Sequence, residues 1–268
     1  MKTLTRMIRC LLLSSCLALS GGLSTTIAAD LPGEQQSSTE PVTPSPYTGS
    51  FTIYGFLPTF NGHAGINGLG PVNVGISQGE LLDILDFAVM ITGDIRRDKI
   101  GLFADLIYLD VSDTAATPGP LFSNARIELD ATLLTIAPTY QLYETEKGWL
   151  QGMAGIRWWS FDLGVDIRPG ILPGISGNGD INFIDPIIGV RGHLDVTEKV
   201  FLSGTAVIGG FGAGSDFMWD VVGTIGYKFN ERWSAHIGYR GIDVDFKKGG
   251  DVVDLNVPGP IAGLTVSF

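Results

Sequence analysis

Cysteine is almost absent. Cys10 and Cys16 are the only two in 268 residues, and both precede the point where an export signal would be cut. The rest of the chain has no thiol to oxidise or to ligate a metal, which excludes disulfides and Cys-held metal centres and suits passage through an oxidising compartment. Histidine is scarce as well: His63, His193 and His236 show no ligand spacing, so neither a metal site nor a cofactor is expected. Charged residues make up only 17% of the chain and cations are the poorer sign, 17 Lys and Arg against 28 Asp and Glu for a net charge of -11. Without Lys2, Arg6 and Arg9 of the leader the remainder stands at about -14, which argues against nucleic acid as a partner. Long apolar runs are lacking too. After the first thirty positions nothing approaches the roughly 20 residues a transmembrane helix needs, although 44% of the residues are hydrophobic.

What the chain does have is glycine, 37 residues of it, and apolar residues dispersed in short extended stretches. That combination fits many strands joined by turns, each strand turning one face toward something apolar. Three cations in Met1 to Arg9, an apolar core from Cys10 to Leu23 and the small residues of Ile27-Ala28-Ala29 have the pattern of a secretory signal peptide over 1–29, cut after Ala29. Leu13-Ser14-Ser15-Cys16 offers lipidation as the alternative. The Pro-, Ser- and Thr-rich stretch 30–49 has little to bury and is expected to be a disordered periplasmic tail. Residues 50–268 are expected to form one domain.

Within that domain short charged turns alternate with longer Gly-, Pro-, Ser- and Asp-rich loops. The turns are Arg96 to Lys99, Glu144 to Gly148, Asp195 to Lys199 and Asn230 to Arg232. The loops are Asn67 to Asp83, Ser112 to Asn124, Pro169 to Asp180, Gly209 to Ser215 and Lys247 to Val252. Short turns on one rim and long loops on the other predict an all-β, up-and-down antiparallel transmembrane β-barrel of about ten strands, with both termini on the short-turn side. Period-two alternation supports it. Phe87, Val89, Ile91 and Ile95 alternate with Ala88, Thr92, Asp94 and Arg96; Phe217, Trp219, Val221, Ile225 and Tyr227 oppose Asp220, Thr224 and Lys228. Two phase breaks predict bulges, one at Trp158-Trp159 and one near Leu133-Leu134. The first strand alternates too poorly to assign its faces.

Aromatic residues gather into two expected girdles. Tyr140, Tyr143, Trp149, Tyr227, Phe229, Trp233 and Phe268 fall toward the short turns, and Tyr108, Trp158, Trp159, Phe161, Trp219 and Tyr239 toward the long loops. Ser77 to Leu85 has helical spacing after a possible N-cap and predicts a short helix over or into the barrel mouth, or else continued strand.

The segments Leu81 to Phe87, Gly101 to Leu106, Asp185 to Arg191 and Gly238 to Arg240 resemble those of small outer-membrane barrels of Gram-negative bacteria, the opacity-protein and OmpA-like barrels. The ending Leu264, Val266 and Phe268 resembles the signal read by the barrel assembly machinery. The resemblance implies the fold, an outer-membrane location, and outer-membrane lipids, lipopolysaccharide and that machinery as partners. It implies no catalytic residues. Ten strands departs from the eight of the OmpA type, and no peptidoglycan-binding domain is expected after the barrel.

If the alternation holds, Asp105, Glu128, Asp130, Arg157, Asp185, Arg191, His193, His236 and Arg240 face the lumen. In so narrow a barrel they are expected to form a hydrogen-bonded network that fills the interior. The alternative is a thin polar path for small solutes. A hydrolase is the third reading, with Ser234 and His236 or His193 and Asp185 as its only candidate pairs, neither in a nucleophile motif. The expectation is therefore a non-enzymatic integral envelope protein.

Overall fold

In the computed structural model the described residues are 47–66, 69–116, 122–172 and 174–268. The leader, its cysteines and most of the tail lie outside them. β1 (Thr48–Phe56) starts two residues before the expected domain edge at Ser50. The stave strands that follow are β4 (Leu85–Arg97), β5 (Ile100–Ala116), β6 (Phe122–Thr145), β7 (Gly148–Pro169), β8 (Ile175–Asp195), β9 (Val200–Gly209), β10 (Phe217–Lys228), β11 (Trp233–Lys248) and β12 (Asp251–Ser267). Each pairs antiparallel with its neighbours, and β1 pairs with β12 from Ser50↔Ser267 to Phe56↔Ile261, closing a ten-stranded barrel. Closure gives every stave a partner on both sides.

Two further strands stand above the rim. Past Leu57 to Thr59 the first stave resumes as β2 (Phe60–Ile66), still on β12, and returns as β3 (Leu69–Ile76). Much of the sequence expected as long loops is likewise strand: β5 runs to Ala116 and β8 begins at Ile175. β6 has 24 residues, against the roughly 9–11 that cross a bilayer. Its polar end continues the ladder, because hairpins in water keep their backbone hydrogen bonds by pairing.

The helix is formed. Designated α1 (Gln78–Ile84), it begins at Ser77, whose hydroxyl accepts from the Glu80 amide while the Glu80 carboxylate accepts from the Ser77 amide at 2.8 Å. Leu81, on its buried face, packs with Leu109 and Val111, inward side chains of β5, so α1 is tucked into the barrel mouth. Hydrogen bonds to the Ser77 backbone and side chain hold the Glu80 carboxyl below its usual range. With the folded-state pKa below the unfolded one, the cap's contribution is complete above the unfolded value and is lost as pH falls through the folded value. Ser77→Ala should cost about 1 kcal/mol of helix stability. It should be read as a severalfold faster exchange of the Leu81 amide, which donates to the Ser77 carbonyl at 2.9 Å.

The predicted bulges are absent. Pairing is unbroken through Arg157, Trp158 and Trp159 on both sides of β7, and through Leu133 and Leu134. Arg157 and Trp159 face inward while Trp158, Ser160 and Asp162 face out, so simple alternation already separates Arg157 from Ser160 and Asp162. Register shifts lie instead between Leu85 and Phe87, between Gln141 and Tyr143 and between Phe122 and Ala125.

Candidate functional site

Outward side chains form an apolar band, including Ile53, Leu102, Ile136, Ile188, Ile225 and Leu264, all exposed. Tyr140, Tyr143, Tyr227, Trp233 and Phe268 flank it on the short-turn side, with Tyr239 on the other. Three residues expected in the girdles point inward. Trp149 stacks on His193 at 5.9 Å, and Trp159 lies 2% exposed beside Phe161 and Phe183. Counting aromatics by height along the strand locates them but leaves their side to parity.

Inside, the lumen has three zones. At mid-height Arg240 donates to Asp220 Oδ1 at 3.0 Å and Oδ2 at 2.7 Å, to Asp105 Oδ2 at 2.7 Å and to the Tyr54 hydroxyl at 2.9 Å. Tyr54 in turn donates to Asp105 Oδ1 at 2.7 Å. Arg157 completes the layer through Asp220 Oδ2 at 2.7 Å and Thr135 Oγ1 at 2.8 Å. Two guanidiniums and two carboxylates balance to neutrality, and each of the four residues is 6% exposed or less. Such short charge-assisted bonds satisfy most of the groups whose burial would otherwise be costly, although Arg157 Nη1 is buried without a partner among the described residues.

Above the layer the interior is apolar. Met90, Ile107, Trp159, Phe183, Ile187, Met218, Val244 and Phe246 belong to one buried cluster, with α1 beyond it. Asp185 lies fully buried here, apart from the charge layer. It accepts from Trp159 Nε1 at 2.9 Å, from the Ser215 amide at 2.6 Å and from the Ser215 hydroxyl at 2.8 Å. These bonds dock the β9–β10 connection onto the barrel, so this glycine-rich turn is anchored rather than the flexible surface loop its composition predicts. Gly210 at φ +87° and Gly212 at φ +76° supply the left-handed geometry.

Below the layer a cavity of about 1100 Å³, lined by both polar and apolar side chains, opens at the short-turn rim. Arg191 and His236 line it. Arg191 donates to Asp94 at 3.3 Å. His193, also in the lining, pairs with Asp195 at 3.0 Å, not with Asp185. His236 abuts Gly263, where a Cβ would stand 2.6 Å from Nε2. Ser234 lines the same cavity as His236, with no hydrogen bond between them among the described residues.

Glu128 and Asp130 are not lumenal. The inward face of β6 carries Thr135, Ala137, Thr139 and Gln141, and without a slip at Leu133-Leu134 the even positions continue outward. Glu128 pairs with Arg126 at 2.8 Å, and Asp130 accepts from Tyr108 at 2.7 Å. Asp130 stands in register with Asp110 and Asp162, and Asp162 with Asp180, a row of four outward carboxylates beyond the apolar band. The sequence reading missed Tyr54, Thr135 and Asp94 as network partners. Asp220, already assigned to the polar face of its strand, was the available signal for the fourth charge.

No family model matches the chain, and no curated protein matches it. Solved structures similar to it include the translocator domain of the autotransporter NalP from Neisseria meningitidis, at 12% identity and TM-score 0.40 over 82% of this chain and 88% of that one. The transport unit of the autotransporter AIDA-I from Escherichia coli aligns at 10% identity and TM-score 0.38, covering 90% and 93%. Ail, the attachment invasion locus protein of Yersinia pestis, aligns at 8% identity and TM-score 0.32, covering 83% and 98%.

Proposed function

We propose that the chain is a non-enzymatic, integral outer-membrane protein with its short turns in the periplasm, serving envelope structure or surface contacts through its external loops. The observation that carries this reading is the shut lumen. A conducting path needs a continuous polar file wide enough for the solute, whereas here a neutral ion-pair layer spans mid-height and an apolar core and α1 fill the barrel above it. Work on the outside is what such a scaffold leaves. The apolar band supports contact with lipid acyl chains and lipopolysaccharide, and the outward Leu264, Val266 and Phe268 support recognition by the barrel assembly machinery.

The narrow-channel reading retains one observation in its favour, the cavity that reaches the layer from the short-turn rim. Unboiled and boiled gel migration of the detergent-extracted chain should differ, as for a folded barrel, and planar bilayers containing it should show no unitary current steps. Stable steps, altered in Arg157→Ala, would replace the structural reading with a channel.

A further inference from the structure

Resting on the orientation proposed above, the cavity below the ion-pair layer is a large space whose chemistry the scaffold role leaves unused. Its volume of about 1100 Å³ is at or slightly above the range of sites for small ligands, roughly 300–1,000 Å³. Arg191 is held in it in a particular way. The guanidinium carbon lies 4.4 Å from the Phe103 ring centroid and 5.4 Å from that of Trp149. The two rings leave the guanidinium's edge for in-plane hydrogen bonds. That edge is underused: Nη2 donates to Asp94 at 3.3 Å, long for a charge-assisted bond, while Nε and Nη1 are shielded from solvent and have no partner. Asp94 also accepts from the Ser50 hydroxyl, at 2.6 Å. Lys199 and Arg232 line the mouth beside Glu198 and Glu231, and neither cation has an ion-pair partner among the described residues.

The geometry points to this cavity as a binding site for a small carboxylate or phosphate anion, anchored by Arg191 and drawn in past Lys199 and Arg232. An incoming oxyanion competes with the long Asp94 contact for the guanidinium, whose Nε and Nη1 turn to it only when Arg191 leaves Asp94.

The test is calorimetric titration of the full mature chain, folded in detergent, with inorganic phosphate and with succinate at matched ionic strength in chloride. Saturable one-site binding of at least one anion is expected, weakened about tenfold by Arg191→Gln, since a charged donor is lost. Arg97→Gln, on the outer face, should leave it unchanged. Binding of only one of the two identifies the anion class. Heats that stay linear for both anions, or an affinity untouched by Arg191→Gln, overturn the assignment. If Arg191→Gln does not fold, the double variant Lys199→Gln with Arg232→Gln carries the test: a severalfold loss supports the site and no change overturns it. The heat-modifiable gel shift separates the two failures. A flat titration with an intact shift sinks the anion site alone, whereas the absence of a shift in the parent chain sinks the barrel reading beneath it.

Discussion

Arg240→Met is expected to destabilise the folded barrel by about 3–5 kcal/mol, the cost of breaking a buried charge network by removing one partner. Measured as a urea midpoint in detergent, this should be among the largest effects of any single substitution. Arg240 is the residue on which the layer converges: it donates to both oxygens of Asp220, to Asp105 and to the Tyr54 hydroxyl. Without it, Asp105 keeps the Tyr54 hydroxyl and Asp220 keeps Arg157, and two carboxylates then face a single guanidinium at the inner end of the cavity, where each is 6% exposed or less. Arg240→Lys should lie between the two, because a point ammonium keeps the charge and loses the fork. The double variant Asp105→Asn with Arg240→Met should cost less than the sum of its parts, since the orphaned charge goes with its partner. A midpoint within about 1 kcal/mol of the parent for Arg240→Met would mean that water reaches the layer and compensates it.

How far this layer could be read in advance depends on what each residue's side of the wall rests on. Asp105 and Arg240 sit in strands whose alternation is clean over many residues, and their lumenal position follows from parity; Arg157 stands beside the Trp158-Trp159 pair expected to bulge, and it faces the lumen because the pairing runs through that pair unbroken. Tyr54 was out of reach because β1 is irregular in sequence: Thr52, Tyr54 and Phe56 alternate with Phe51, Ile53 and Gly55, and both sets contain aromatic or apolar side chains. A barrel wall with lipid outside and an apolar plug inside gives apolar residues on both faces, which erases the contrast that alternation needs. The same ambiguity misplaced Glu128 and Asp130. Leu133 and Leu134 in succession look like a slipped phase in a strand with one polar face, yet Leu133 packs into the interior core and Leu134 faces out. The number of barrel strands and the turn rim were legible because they rest on turn chemistry, and the short helix, one of two readings of Ser77 to Leu85, because of its apolar spacing after Ser77. The filled upper lumen was not, because it requires knowing which apolar face meets itself across the barrel. The pairing of Asp185 with Ser215 escaped for another reason: the bond bridges residues thirty positions apart that the pairing of β8 with β9 and the fold-back of the β9–β10 connection bring together.

Trp159→Ala should cost a comparable 3–5 kcal/mol, by the loss of transfer energy and the cavity left behind. The indole is 2% exposed and lies 5.7 Å from the Phe183 ring, which stacks on Phe246 at 4.2 Å. The Arg157 guanidinium stands 5.7 Å from its centroid, so the aromatic core and the ion-pair layer share this side chain. Trp159→Phe separates the two contributions. It keeps most of the ring and removes the Nε1 donor to Asp185, leaving that carboxylate with the two Ser215 bonds, and should cost about 1–3 kcal/mol. Amide exchange at Ser215 should quicken in Trp159→Phe, because Asp185 is less firmly fixed, and should quicken further in Trp159→Ala. Bilayer currents give a sharper distinction. With the indole gone the upper lumen holds a void, but Arg157, Arg240, Asp105 and Asp220 still span the barrel below it, so Trp159→Ala should remain without unitary steps. Steps in Trp159→Ala that are absent from the parent would place the seal in the aromatic stack and make the charged layer the floor of a vestibule.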